Sequence, residues 1–297
     1  MIDPFAAAAN NRSTLLAGLI GRGIQASLTP AMHEREGAAH GLALSYRRID
    51  LDAMGLGVDA LPTLLDRAEA AGFAGLNITF PCKQAVIPLL DDLSEEARAL
   101  GAVNTVVLRD GKRIGHNTDC SGFAEGFARG LPDVALGEIL QLGAGGAGSA
   151  VAEALLRKGV GRLTLHDVDA ARAEDLASAL RARFGEARAR AGVAIEAAVA
   201  VADGVVNCTP VGMAKLPGTP MPVALLRPNL WVAEIIYFPL ETALLKAARA
   251  LGCRTLDGGG MAVFQAVGAF RLFTGREPDP ARMLAQFAEL VAQPGAM

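Results

Sequence analysis

The stretch EILQLGAGGAGSAVAEALLRKG, residues 138–159, decides how the rest of this chain is read. EILQL is apolar enough for a strand buried on both faces, and SAVAEALLRKG carries helical spacing. Between them Gly143, Ala144, Gly145, Gly146, Ala147 and Gly148 spell G-x-G-x-x-G. In a strand–turn–helix the glycines allow a tight turn and a close backbone approach. The new helix then offers free N–H groups and the positive end of its dipole to a pyrophosphate. A ligand-free glycine turn is the plainer alternative, but it does not require this order of strand, glycines and helix. The next strand-like run, RLTLHDVD, ends at Asp167, nineteen residues after Gly148. A carboxylate there can accept hydrogen bonds from the adenosine ribose and repels a 2′-phosphate, which predicts NAD over NADP. Arg172, five residues on, can in principle clamp a phosphate, but its place opens the following helix, where packing or surface pairing is expected.

Outward from this loop the chain is built of alternating pieces. TLLAGLIG, LSYRRIDLD and GFAGLNITF are strand-like, while TPAMHEREGAAHG and LPTLLDRAEAAG are of helix length, which implies βαβ units and a parallel sheet. AVNTVVLRDGKRIGHNT has a DG turn between two β-like runs and predicts a hairpin. After the glycine loop, ADGVVNCTP, LWVAEIIY and CRTLDG continue an α/β block. GMAVFQAVGAFRLFTG and PARMLAQFAELVAQ are helices with no strand after them, so they are expected to pack back onto the first domain. ALRARFGEARARAGVAIEAA is expected to be a solvated helix with its loop. The expected architecture is α/β: two domains around a cleft, an N-terminal α/β substrate domain (1–117, completed by the C-terminal helices 258–297) and a Rossmann-like dinucleotide-binding domain (118–257). Hinge closure between them is expected to expel water.

The bulk properties agree. A chain of 297 residues suffices for two domains, and 52% hydrophobic against 20% charged residues excludes a disordered chain. A net charge of −3 gives no reason to expect nucleic acid or an anionic membrane. Cys82, Cys120, Cys208 and Cys253 show no CxxC or Cys/His metal spacing, so reduced thiols and no metal are expected. MIDPFAAAANNRS, residues 1–13, lacks a basic, apolar leader and no apolar run reaches membrane-spanning length, so a cytoplasmic chain is expected.

An enzyme that moves hydride from an alcohol must also take the hydroxyl proton. Lys83, two residues after Pro81 and just past the apolar strand GLNITF, and Asp119 in HNTDCSGF are the candidates. Taken alone, Asp119 is equally well a helix N-cap, and Lys83 a surface lysine. His116 at the hairpin end is expected to bond to backbone or water, and His33 and His40 to lie at the surface or in packing.

Across nearly the whole chain the sequence resembles the shikimate dehydrogenase family, and within it the NAD-dependent quinate/shikimate dehydrogenase branch. SLTPAMHE resembles its S-x-S/T-P motif, which implies that the Ser27 and Thr29 hydroxyls bind the substrate carboxylate region, with Pro30 setting a helix start. NITFPCK implies substrate contacts from Asn77 and Thr79 and a catalytic Lys83. GAVNTV supplies Asn104, and HNTDCSGF the catalytic Asp119. GAGGAG matches the family's cofactor loop, and NCTPVGM brings Thr209 and Pro210 to the dinucleotide. EIIYFPLET places Ile235 at the cofactor and Tyr237 where substrate and nicotinamide meet. GGGMAVFQA places Gly258 at the cofactor and Gln265 at the substrate.

The resemblance implies NAD-dependent oxidation of quinate and shikimate, with these small molecules as partners and a homodimer left open. A lysine alone, titrating near 10.4, is almost wholly protonated at neutral pH. Lys83 and Asp119 are therefore expected to act as a coupled pair, relaying the proton while the ammonium stabilises the developing alkoxide. Three departures from the commoner biosynthetic pattern stand out. Asp167, Val168 and Asp169 replace an N-R-T that grips a 2′-phosphate; Thr29 replaces serine; Glu234 replaces aspartate. The competing readings are an NADP-dependent biosynthetic shikimate dehydrogenase and, from another class, a catalytically silent quinate/shikimate sensor.

Overall fold

The computed structural model describes residues 3–5 and 14–293, and by its contacts the chain divides into two compact units, Met1–Thr118 with Gln265–Met297, and Asp119–Phe264. The first unit runs β1 (Leu15–Gly21), α1 (Thr29–Ala39), β2 (Leu44–Asp50), the one-turn α2 (Leu51–Met54), α3 (Leu61–Ala70), β3 (Phe73–Ile78), the one-turn α4 (Cys82–Ala85), β4 (Asp92–Leu93), α5 (Glu95–Leu100), β5 (Thr105–Arg109) and β6 (Lys112–His116). The second contains α6 (Asp119–Gly130), β7 (Glu138–Leu142), α7 (Gly146–Arg157), β8 (Arg162–His166), α8 (Ala170–Phe184), β9 (Ala189–Arg190), α9 (Ile195–Val201), β10 (Gly204–Asn207), β11 (Trp231–Glu234), α10 (Ala243–Ala250) and β12 (Arg254–Leu256). The long α11 (Gly259–Thr274) passes from the second unit back to the first, which α12 (Pro280–Ala292) completes.

The first sheet has the order β2-β1-β3-β5-β6-β4 and is mixed. β2, β1 and β3 are parallel, and β5 and β6 form the expected hairpin. Asp110 (φ 53°) and Gly111 (φ 69°) both take the left-handed conformation that a two-residue hairpin turn needs. β5 also runs antiparallel to β3, so this sheet departs from the parallel one that the βαβ pattern predicts. Its core gathers Ile20, Ile49, Leu65, Leu76, Ile78 and Val106 with the apolar sides of the helices.

The second sheet is wholly parallel, with the order β12-β11-β10-β7-β8-β9. That is the doubly wound arrangement, in which the strand order reverses between β7 and β10 and ligands bind beyond the carboxyl ends of the strands. Ile139, Leu140, Leu142, Val205 and Val232 are buried, as strands covered on both faces must be.

Two expectations need correction or adjustment. Residues 179–198 are not one solvated helix with its loop: α8 ends at Phe184, Gly185 follows at φ +108°, and Ala189–Arg190 add an edge strand beside β8 before α9 begins. Two residues supported only by a neighbouring strand leave no periodicity to read. The second junction lies at 264/265 and not at 257/258, because the first turns of α11 pack on α6, with Gly260 against Gly126 and the Arg129 guanidinium 4.9 Å from the Phe264 ring centroid. Among the described residues no helix is long and apolar enough to cross a membrane.

Candidate functional site

In the first unit the candidate residues gather at the carboxyl ends of β1 and β3. Thr29 opens α1 with Pro30 beside it, and the buried Ser27 accepts a hydrogen bond at Oγ from the Thr29 N–H (3.3 Å). Arg48 donates to the Ser27 carbonyl (2.9 Å). The loop leading to Ser27 is braced by the buried Asp50 carboxylate, which accepts from the Gly23 N–H (3.0 Å), the Ile24 N–H (3.1 Å) and Gln25 Nε2 (2.8 Å). Burial opposes the charge on Asp50, but these bonds and that from the Asp52 N–H outweigh it and hold the carboxyl below its usual range.

Asn77, one residue before the end of β3, lies inside a buried relay. The Tyr46 hydroxyl donates to Asn77 Oδ1 (2.6 Å), and Asn77 Nδ2 donates to Thr105 Oγ1 (3.0 Å). The Thr105 hydroxyl donates to Asn104 Oδ1 (2.9 Å), and Asn104 Nδ2 donates to Thr118 Oγ1 (2.9 Å). Burial raises the Tyr46 hydroxyl well above its ordinary range, so it stays a donor. Thr79 follows β3 and turns the chain: its N–H reaches the Ile20 carbonyl (2.9 Å), and its own carbonyl accepts from the Cys82 N–H (2.8 Å). α4 then carries the half-buried Lys83, whose carbonyl accepts from the Val103 N–H (2.9 Å). One framework thus positions Asn77, Thr79, Lys83 and Asn104. Gln265, half-buried, lies on α11. Tyr46, Asp50 and Thr105 were not foreseen. Their only sequence signal is a polar side chain inside a strand that should be covered.

In the second unit Asp119 is buried and is the first residue of α6, one place inside an N-cap position. The glycine loop joins β7 to α7. Gly143 has φ +98°, its N–H reaches the His166 carbonyl (2.7 Å), and a Cβ there would press on Cys208 and on the Thr209 nitrogen (2.9 Å). At Gly148 a Cβ would meet the Gly143 carbonyl. Gly145, the residue capping α7, has ordinary backbone angles, and a Cβ would meet nothing of the chain within 4 Å. The chain itself has no need of glycine at 145, and the residue leaves open space beside the helix N-terminus. Gly146 and Ala147 open α7, and Ala144 donates its N–H to Asp167 Oδ2 (2.8 Å). A buried Gln141 staples the loop, its Nε2 donating to the Gly143 and Gly148 carbonyls (2.9 Å each). These residues fit a dinucleotide pyrophosphate.

Asp167 stands just past β8 with its side chain 8% exposed. Its other oxygen accepts from the Asp169 N–H (2.9 Å). Val168 is fully exposed. Arg172, half exposed on α8, lies 3.7 Å from Asp167 and 3.4 Å from Asp169, so its charge is answered within its own helix start. Past β10, Asn207 Oδ1 accepts from the Thr209 N–H (2.9 Å) and hydroxyl (2.7 Å), and exposed Pro210 follows. The Ile235 N–H reaches the Asn207 carbonyl (3.2 Å). Gly258 lies against the Ile235 and Ile236 backbone with no room for a Cβ, and Tyr237 is exposed. No cluster of three or more His, Cys, Asp or Glu suited to a metal occurs among the described residues.

Comparison with known proteins identifies the family. The family described as "Shikimate dehydrogenase substrate binding domain" matches residues 19–106, and "Shikimate 5'-dehydrogenase C-terminal domain" matches residues 258–286. A shikimate dehydrogenase (NADP(+)) of Streptomyces avermitilis is 59% identical over 281 residues, 94% of this chain and 97% of the relative. A quinate/shikimate dehydrogenase (NAD(+)) of Corynebacterium efficiens is 54% identical, over 94% of this chain and 100% of the relative. The solved structure of quinate dehydrogenase from Corynebacterium glutamicum in complex with NAD superposes with a TM-score of 0.86 at 54% identity, covering 93% of this chain and 99% of that one. A substrate-domain profile over the first sheet, a phosphate-ready loop in a Rossmann-like second unit, and relatives more than half identical along almost the full length lead to one conclusion: this chain is an oxidoreductase of the shikimate dehydrogenase family, using a nicotinamide dinucleotide.

Proposed function

We propose that the chain is an NAD-dependent dehydrogenase of quinate and shikimate, converting a ring secondary alcohol to the 3-dehydro ketone. A bound nicotinamide dinucleotide supplies the hydride acceptor. In this reading the glycine loop and α7 hold its pyrophosphate, Asp167 its adenosine ribose, and Thr209, Pro210, Ile235 and Gly258 the rest of its length. Ser27 and Thr29 bind the substrate carboxylate region, and Asn77, Thr79, Asn104, Tyr237 and Gln265 hold the ring. As hydride leaves the carbon the hydroxyl must lose its proton, and Lys83 with Asp119 passes it to solvent while the ammonium stabilises oxygen charge.

The observation that carries the NAD reading is Asp167, anchored by the Ala144 N–H and followed by exposed Val168 and a second carboxylate, Asp169. A 2′-phosphate placed there meets two negative charges, and Arg172 is already paired with both. The NADP-dependent shikimate dehydrogenase reading has its own support in the Streptomyces relative. A substrate domain that expects carboxylated cyclohexane alcohols is common to both.

Initial rates on quinate and on shikimate, each with NAD and with NADP, decide between them, with Lys83→Ala measured alongside. NAD-dependent turnover of both acids, lost by about a thousandfold or more in the variant, is the expected result. Turnover of shikimate alone with NADP establishes the biosynthetic reading. Binding without turnover in any combination establishes the sensor.

A further inference from the structure

Glu234 closes β11 with 1% of its surface exposed, a carboxylate in a place where burial without partners is costly. Its partners all belong to the cofactor-binding unit. Both oxygens lie 3.0 Å from Asn207 Nδ2, and Oε1 also accepts from the Thr242 hydroxyl (3.0 Å). Thr242 in turn caps α10, its Oγ1 accepting from the Leu245 N–H (3.2 Å). Asn207 can therefore face only one way. With its amide nitrogen turned to Glu234 and to the Val211 carbonyl (3.0 Å), its oxygen must face Thr209, where it accepts from both the N–H and the hydroxyl. The Thr209 hydroxyl accepts from the Val211 N–H (3.1 Å), which completes the loop, and the same loop backs directly onto Gly143.

We infer that Glu234 is a positioning residue for the dinucleotide: its ionised carboxylate orients Asn207, and through Asn207 the loop of residues 208–211 that walls the cofactor site at β10, so that cofactor affinity depends on the charge of a side chain that does not itself touch the cofactor. The inference rests on the reading of the Cys208–Thr209 loop as part of the dinucleotide site. An ionised carboxylate accepts from Asn207 at both oxygens; once protonated it keeps one acceptor and gains an O–H for which Asn207 Nδ2 is no partner. The hold on Asn207 then weakens within the physiological range, because burial pushes Glu234 up to about 7 against the opposing bonds from Asn207, Thr242 and the Ile236 backbone. The ionised fraction, and with it the share of chains that hold the loop ready, falls about tenfold between pH 8 and pH 6.

The charged and titratable groups on the elements packed against β11 do not replace this role. Cys208, beside β10, is itself pushed well above the usual thiol range by burial and by the charge of Glu234. Arg254 lies on β12, and Asp257 past its end accepts from the Gly259 N–H (3.0 Å). On α10, Arg249 pairs with Glu241 (3.0 Å), and Lys246 faces outward. His166 ends β8, and its carbonyl accepts from the Gly143 N–H of the glycine loop (2.7 Å), so a variant there serves as the control.

Calorimetric titration with NAD of the wild type, Glu234→Gln, Glu234→Asp and His166→Asn, each at pH 6, 7 and 8, tests the inference. The wild-type Kd is expected to be about tenfold weaker at pH 6 than at pH 8. Glu234→Gln should be weak and flat across this range, raising the KM for the dinucleotide while kcat at saturation holds. Glu234→Asp should restore tight binding at pH 8, and His166→Asn should keep the wild-type slope. A flat wild-type profile, a Gln variant that binds like wild type at pH 8, or a slope lost with His166 overturns the inference. If the Gln variant does not fold, the wild-type, Asp and His166 profiles decide it. A wild type that binds no dinucleotide at any pH overturns the cofactor reading itself.

Discussion

At the scale of single residues, Gly143 and Gly145 carry the same letter for opposite reasons, and the difference is measurable. Gly143→Ala forces a side chain into a left-handed conformation against Cys208 and Thr209, and should cost about 2 kcal/mol of stability in thermal or urea unfolding. Gly145→Ala should leave unfolding unchanged, because nothing of the chain lies within 4 Å of the added carbon, yet weaken NAD binding by about tenfold or more. Asp167→Asn keeps an oxygen for the Ala144 N–H and removes the charge, so the ratio of kcat/KM for NADP over NAD should rise about tenfold, the factor that 1.4 kcal/mol of relieved repulsion gives. All three positions were legible because the motif sets them at fixed distances. Gln141 was not: inside EILQL a glutamine looks like a flaw in an apolar strand until the two glycine carbonyls it bonds are seen.

At the scale of elements, α12 is tied to α1 by one buried carboxylate. Glu36, fully covered, accepts from Arg282 Nε (2.8 Å) and Nη2 (2.6 Å) and from the Asp279 N–H at the head of α12 (2.8 Å), and it lies 3.0 Å from His40 Nε2. Burial opposes its charge, but the Arg282, Asp279 and His40 bonds outweigh it and hold the carboxyl below its usual range. Arg282→Ala strands that carboxylate and should destabilise the fold by about 3 kcal/mol, seen as a lower urea midpoint for the first unit, with protease cleavage ahead of α12 as the companion signal. That the last two helices return to the first domain was readable from the absence of a strand after them. Which side chains hold them was not, because Glu36 and Asp279 stand 243 residues apart and neither sits in a motif.

At the scale of the whole molecule, buried titratable groups set how stability follows pH. His33 is fully buried among Tyr46, Phe270 and Phe273, and burial lowers its pKa from 6.5 to about 3 despite the neighbouring Glu36 charge. The unfolded chain binds that proton below pH 6.5 and the folded chain only near 3. Stability therefore falls by about 1.4 kcal/mol per pH unit across that window. Glu234 has the opposite sign. Its folded pKa of about 7 lies above the ordinary carboxyl value of 4.5, so the folded chain binds the extra proton between them, and stability rises as pH falls across that range. The two slopes offset from about pH 6.5 to 4.5, and below that His33, Glu36 and Asp50 all favour unfolding. Denaturant unfolding at pH 5 and pH 7 should thus show His33→Phe gaining about 2 kcal/mol on the wild type at the lower pH; a gain that does not change with pH would sink this account. The sequence alone determined the α/β alternation, the Rossmann-like half and the candidate residues in its motifs, because strand and helix periods, glycine turns and fixed spacings are local and survive in a linear string. Only the tertiary structure decided the mixed order β2-β1-β3-β5-β6-β4 and the partners of Glu36, Asp50 and Glu234. Those depend on which distant groups meet when the core closes, and a buried charge selects its partners only once water has been excluded.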